Sequence, residues 1–170
     1  MVSHLIHRIA GQAQMNLRPL IGLFSGGPCY ARIDRTRISI RDVSTGATFE
    51  SAAAIGLDSA NRIVSVGDMS SPNIVRTVQP FEHPRIVISD FACASKLFQY
   101  GLHQLTRFKW VSPSPILIIQ PVMELTGGLS EIENRALLEL GESAGARKTV
   151  IHCGKTLSDQ EVVALSRGEG

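Results

Sequence analysis

The chain has 170 residues, a formal charge of +2, 44% hydrophobic and 19% charged residues. That length buries the core of one domain, and the composition excludes a disordered chain. The small net charge gives no argument for nucleic acid, which is not expected as a partner, and no apolar run reaches the roughly 18–20 residues that span a bilayer.

Residues 1–33 contain no Asp or Glu, whereas Arg8, Arg18 and Arg32 are basic, with His4 and His7 nearby. Ile6, Ile9, Ala13, Leu17, Leu20 and Phe24 recur at helical steps of three or four. Gly11 and Pro19 interrupt a continuous helix, so two short ones are expected. Three uses of this acid-free amphipathic segment remain open: an anionic membrane surface, an organellar targeting peptide, or packing on the domain. We divide the chain into this segment, 1–27, and a single domain, 28–170.

Short strands are predicted at 30–34, 38–43 and 48–55, with "STG" at 44–46 as a hairpin turn. "RIVSVG" at 62–67 is another strand. Residues 68–84 read as loop, because Asp68, Ser70, Ser71, Pro72, Pro80 and Pro84 punctuate them. "RIVIS" at 85–89 is a buried strand or a lead-in to a helix. Asp90 caps a helix over 91–107, whose core face carries Phe91, Ala94, Phe98, Leu102 and Leu105.

"VSPSP" at 111–115 stops the chain, and "ILIIQ" at 116–120 is a strand covered on both faces. Ser130 and Glu133 form a capping box for a helix running to about Ala144, with Ile132, Ala136, Leu140 and Ala144 as its buried stripe. Gly145 ends that helix. "KTVIH" at 148–152 is a strand, and 158–166 is a last helix capped by Ser158. Hairpins followed by strand–helix–strand–helix imply an α/β fold, a mixed sheet with helices on at least one face. Cys29, Cys93 and Cys153 are far apart and form no C-x-x-C, so isolated reduced thiols are expected rather than a metal or disulfide site.

"LFSGGPCYARIDRTRIS", "SPNIVRTVQPFEHPRIVISDFACASKLFQYGLHQL", "SPSPILIIQPV" and "SEIENRALLELGESAGARKTVI" follow one another in an order that resembles MreB, the bacterial actin homologue that directs rod shape. The family's first nucleotide strand reads I-D-L-G-T-A-N-T. Its later stretches read P-x-x-D-G-V-I-A-D-F, then R-P-S-P-R-V-L-V-C-V-P, V-E-R-R-A and A-G-A-R-E-V. The counterparts here are Pro84 to Asp90-Phe91, Ser112 to Pro115 with the 116–120 strand and Pro121, Ile132 to Ala136, and Ala144 to Arg147. The resemblance covers residues 22–152. It implies the first lobe of an actin-like ATPase fold, ribonuclease H-like. Family members are about twice as long, so the second lobe, with its own phosphate hairpin and adenosine pocket, is expected to be missing. Residues 56–72 are shorter than the family's small subdomain, and "VMELTGGL" is longer than its counterpart.

A phosphate hairpin works through glycine amides that approach anionic oxygens, aided by a hydroxyl. Of the family's D-x-G-T pattern only Asp34 is retained, followed by Arg35-Thr36-Arg37. Asp34 is therefore a vestigial phosphate-hairpin position. Arg35 and Arg37 could attract phosphate only as charges. The resemblance places the family's two catalytic-region acids on Cys153 and Gly154, neither of which orients water as a carboxylate does. His152 is adjacent, but a strand-end histidine is more often structural. "GKT" at 154–156 lacks the upstream glycines of a P-loop, and "TGG" at 126–128 is a flexible turn.

These readings lead to a non-enzymatic MreB-like interaction module, degenerate at the nucleotide site, with no cofactor and no metal. The alternative is weak binding of ATP and magnesium through Asp34, Arg35 and Arg37, with nucleotide-dependent assembly retained. Expected partners are a second copy or a full-length MreB-like protein, and an inner-membrane surface through residues 1–24. The expected location is cytoplasmic, with possible membrane association.

Overall fold

A computed structural model describes residues 27–106, 114–124 and 127–169. The segment predicted over 1–27 lies outside these residues but for Gly27. Eleven elements are seen among them. Strands β1 (Pro28–Ile33), β2 (Arg37–Asp42) and β3 (Thr48–Ala52) form an antiparallel meander. β4 (Ile55–Leu57), β5 (Ile63–Val66) and β6 (Arg76–Val78) form a second, three-stranded antiparallel sheet in the order β5-β4-β6. Helix α1 (Phe91–Thr106) leads to β7 (Ile116–Pro121), α2 (Glu131–Ser143), β8 (Lys148–Ile151) and α3 (Asp159–Arg167).

β7 adds to β1 in parallel and β8 adds to β7, giving a five-stranded mixed sheet in the order β3-β2-β1-β7-β8. Parallel strands need crossovers, and α1 and α2 lie on these. Both pack on one sheet face. Ala31, Ile33, Ile38, Ile40, Leu117 and Ile119 from the strands meet Ala94, Leu97, Phe98, Leu137 and Leu140 from the helices. β4 extends the same core through Ile55 and Leu57. The opposite sheet face carries Tyr30 and Ile118, which α3 covers with Val162 beside Leu157. β7 is thus covered on both faces, as its apolar run implies.

The caps follow local chemistry. Ser130 accepts from the Glu133 amide while Glu133 returns to the Ser130 amide, and Ser158 and Glu161 repeat the arrangement on α3. Each pair satisfies amides that a helix start would otherwise orphan. The Asp90 carboxylate accepts from the Cys93 amide at 2.9 Å. Burial first, then the Asp90 carboxylate, pushes the Cys93 thiol up to about 11.

The structure corrects several expectations. The predicted strand 48–55 is two strands in different sheets, separated by Ala53 and Ala54, which are buried at the corner. β6 lies inside the segment read as loop, because a three-residue strand with two exposed positions shows no usable alternation. Of the two readings of 85–89, the strand is absent and the lead-in to α1 stands: the segment lies irregularly, tied down by Ser89 N–H to the Pro80 carbonyl and Val87 N–H to Glu133 Oε1. On α2 the buried stripe is Leu137, Leu140 and Gly141, and Ile132 is 83% exposed. Phe91, on the first turn of α1, is also exposed. Both sit in the first turns of their helices. No described helix is long and apolar enough to cross a membrane.

Candidate functional site

In open α/β sheets, ligand sites form at the carboxyl ends of parallel strands. Here β1, β7 and β8 end together. Val122 N–H bonds the Ile33 carbonyl at 2.8 Å, and His152 N–H bonds the Ile119 carbonyl at 2.9 Å. Beyond these ends lies an open cleft of ≈ 480 Å³, lined among others by Arg32, Gln120, Gly128, Cys153, Gly154 and Lys155.

Asp34 stands at the exposed tip of the β1–β2 hairpin. Its N–H bonds the Arg37 carbonyl at 2.9 Å, and its carboxylate accepts from the Arg35 amide. It lines a separate depression with Arg32, Arg37 and Glu50, not the cleft that holds Cys153. Arg35 is already engaged: its guanidinium donates to the carbonyls of His83 and Glu124. This guanidinium therefore serves the backbone of two loops, joining the hairpin to the approach of α1 and to the end of β7. Arg32 lines both spaces, and its buried Nε has no hydrogen-bond partner.

The turn after β8 is pinned from below. Gln120, the penultimate residue of β7 and 1% exposed, donates from Nε2 to the Gly154 carbonyl at 2.7 Å and to the Lys155 carbonyl at 3.2 Å. Its Oε1 accepts from the Tyr30 hydroxyl, and that oxygen in turn accepts from the Leu157 amide at 3.1 Å. His152 Nε2 donates to the Lys155 carbonyl at 2.9 Å. Lys155 Nζ pairs with Glu161 at 2.9 Å. "GKT" thus offers carbonyls to the protein's own donors and spends its lysine on α3. Gly154 holds φ of 139°, a backbone that L side chains rarely adopt.

Cys153 is exposed and Gly154 has no side chain, so neither supplies a carboxylate at the strand end. Among the described residues no group of His, Cys, Asp or Glu could hold a metal ion. Sequence reading did not anticipate the Tyr30–Gln120 pair. Its signal was a lone amide closing an otherwise apolar strand, since a buried amide demands partners.

No family model matches the chain. The cell shape-determining protein MreB of Pasteurella multocida (strain Pm70) is 30% identical over 115 residues, 67% of this chain and 29% of that protein. MreB of Escherichia coli (strain K12) is 28% identical over the same extent. The match therefore spans under a third of the length of these relatives. The crystal structure of MreB5 of Spiroplasma citri bound to ADP superposes with a TM-score of 0.55 at 17% identity, covering 74% of this chain and 38% of that one. The same protein bound to AMPPNP gives 0.50 at 18%, with the same coverage. The strand order, the crossover helices and these likenesses agree: the chain is an MreB-like protein of the actin-type fold.

Proposed function

We propose that this chain is a cytoskeletal interaction module of the cell-shape type that does not hydrolyse ATP. The observation that carries this reading is the turn after β8. Where the resemblance to MreB places the family's acids stand Cys153 and Gly154, and Gln120 and His152 hold the turn through its carbonyls. Hydrolysis requires a group that orients the attacking water, and this turn presents none. Arg35 supports the same reading, because its charge is spent on the carbonyls of His83 and Glu124 rather than left for phosphate. The module acts by pairing with a second copy or with a full-length MreB-like protein, on the cytoplasmic side. Residues 1–24 supply contact with the inner-membrane surface.

Phosphate release from ATP and magnesium tests the enzymatic half of the proposal. The expected result is a rate equal to that of a heat-denatured sample. Turnover above that level would overturn the reading. Co-sedimentation with polymerised full-length MreB tests the other half, and a chain that stays in the supernatant as a monomer would refute it.

A second reading is weak binding of ATP without turnover. The partnerless Nε of Arg32, buried between the two strand-end spaces, supports it. It expects an ATP-magnesium thermal shift that falls on Asp34→Ala; no shift at millimolar ATP would refute it.

A further inference from the structure

The chain enters the five-stranded sheet beside an apolar groove. Pro28 opens β1, and its carbonyl accepts from the Val43 amide at 3.0 Å. A Cβ on Gly27 would fall 2.7 Å from that of Ser44, so the backbone entering β1 runs tightly past the β2–β3 turn. Val43 is also one wall of a groove of ≈ 410 Å³, whose other walls are Val163, Ala164 and Arg167 of α3, with Asp159 and Glu169 at the rim. Val43 packs against the small core of Tyr30, Ile118, Leu157 and Val162, so the groove continues that core outward.

We propose that residues 1–26 of the same chain dock in this groove. Three features select this occupant. The segment ends where the groove begins, and a tether that short gives an effective concentration in the millimolar range, so modest affinity suffices. Ile6, Ile9, Ala13, Leu17, Leu20 and Phe24 recur at helical spacing in the sequence, and an apolar face of that kind needs an apolar surface. Residues 1–33 contain no acid, and the groove carries Glu169 and Asp159, the latter already paired with Arg41, beside Arg167, so a basic segment suits it better than an acidic one. The apolar face that would enter the groove is the one that would meet a membrane, so the segment is docked when no membrane is present and is released from the groove to make the membrane contact.

Hydrogen exchange of the full chain, followed on peptides from residues 1–26, tests this. The expected result is protection of the segment in the wild type, reduced about tenfold or more by Val163→Asp on the groove and equally by Leu17→Asp on the segment. Ala164→Arg serves as the groove variant if Val163→Asp loses its cooperative unfolding transition. Protection that survives both groove and segment variants would overturn the proposal. So would a segment that is unprotected in the wild type, or protected only when anionic vesicles are added. Protection that vanishes on dilution, together with a dimer mass, would assign the groove to a second copy and equally overturn it.

Discussion

The Tyr30 hydroxyl donates to Gln120 Oε1 across the parallel β1–β7 pair, and through Gln120 it supports the turn after β8. Both side chains are buried, so each lost bond strands a partner without water. Gln120→Leu removes the acceptor of the Tyr30 hydroxyl and the Gln120 donor to the Gly154 carbonyl, while the Lys155 carbonyl keeps His152, and is expected to cost about 1–3 kcal/mol. Tyr30→Phe strands Gln120 Oε1 and the buried Leu157 amide and is likewise expected to cost about 1–3 kcal/mol. Because the two act in one network, the double variant should cost less than the sum, as denaturant unfolding would measure. An additive result would mean that the two residues stabilise the turn independently.

Glu161 gives a pH signature. The Ser158 amide, then the Ser158 hydroxyl and Lys155, hold its carboxyl down to about 2 from an ordinary value of 4.5. A depressed folded-state value means stability that is present above 4.5 and lost as pH falls through about 2. Ser158→Ala should raise the Glu161 value, read from its side-chain carboxyl carbon by NMR. The stability gap between wild type and variant should narrow over the same pH window. An unmoved titration would show that the cap is not the cause.

Gly141 tests packing against helix propensity. In an exposed helix interior, Gly→Ala gains about 1 kcal/mol. Here a new Cβ would lie 2.6 Å from Thr149 Cγ2 and closer still to its hydroxyl, so the helix sits directly on β8. Gly141→Ala is expected to lower stability by about 1–3 kcal/mol through overpacking. Adding Thr149→Ala should recover most of it, and a stabilised single variant would refute the close approach.

The buried face of α2 separates two otherwise similar residues. Leu137 is fully buried, whereas Ile132 is 83% exposed. Leu137→Ala should cost about 2–5 kcal/mol through the cavity it opens, and Ile132→Ala should stay within about 0.5 kcal/mol. Thermal unfolding of both variants decides it; equal losses would mean that Ile132 is covered by something in solution.

Legibility followed length and redundancy. The helices at 91–106 and 131–143 were readable because a cap and a repeated apolar face pointed to the same span. β7 was readable because an unbroken apolar run has few other uses. The break at Ala53-Ala54 was not, because alanine marks neither a strand nor a turn, and only the second sheet reveals the corner. Ile132 misled because steps of four also fit a face that shares only Leu140 with the buried one. At the candidate site, Asp34, Cys153 and Gly154 were named from the sequence, yet their bonds were not. The engagement of Arg35 with His83 and Glu124 joins residues far apart in the chain, and local patterning carries no trace of such a contact.

β1 occupies the middle of the sheet although it is the earliest described strand. On one side it finds β2 across a tight hairpin, but on the other Pro28 must wait for Ile116. The meander can close within microseconds as a local event, while the parallel half pays for a long loop before it returns any contact. During synthesis, then, the β1 edge stands open after its hairpin is made, displaying unpaired amides until β7 emerges. Any chaperone or partner strand that acts on this protein before it is complete has that edge as its opportunity.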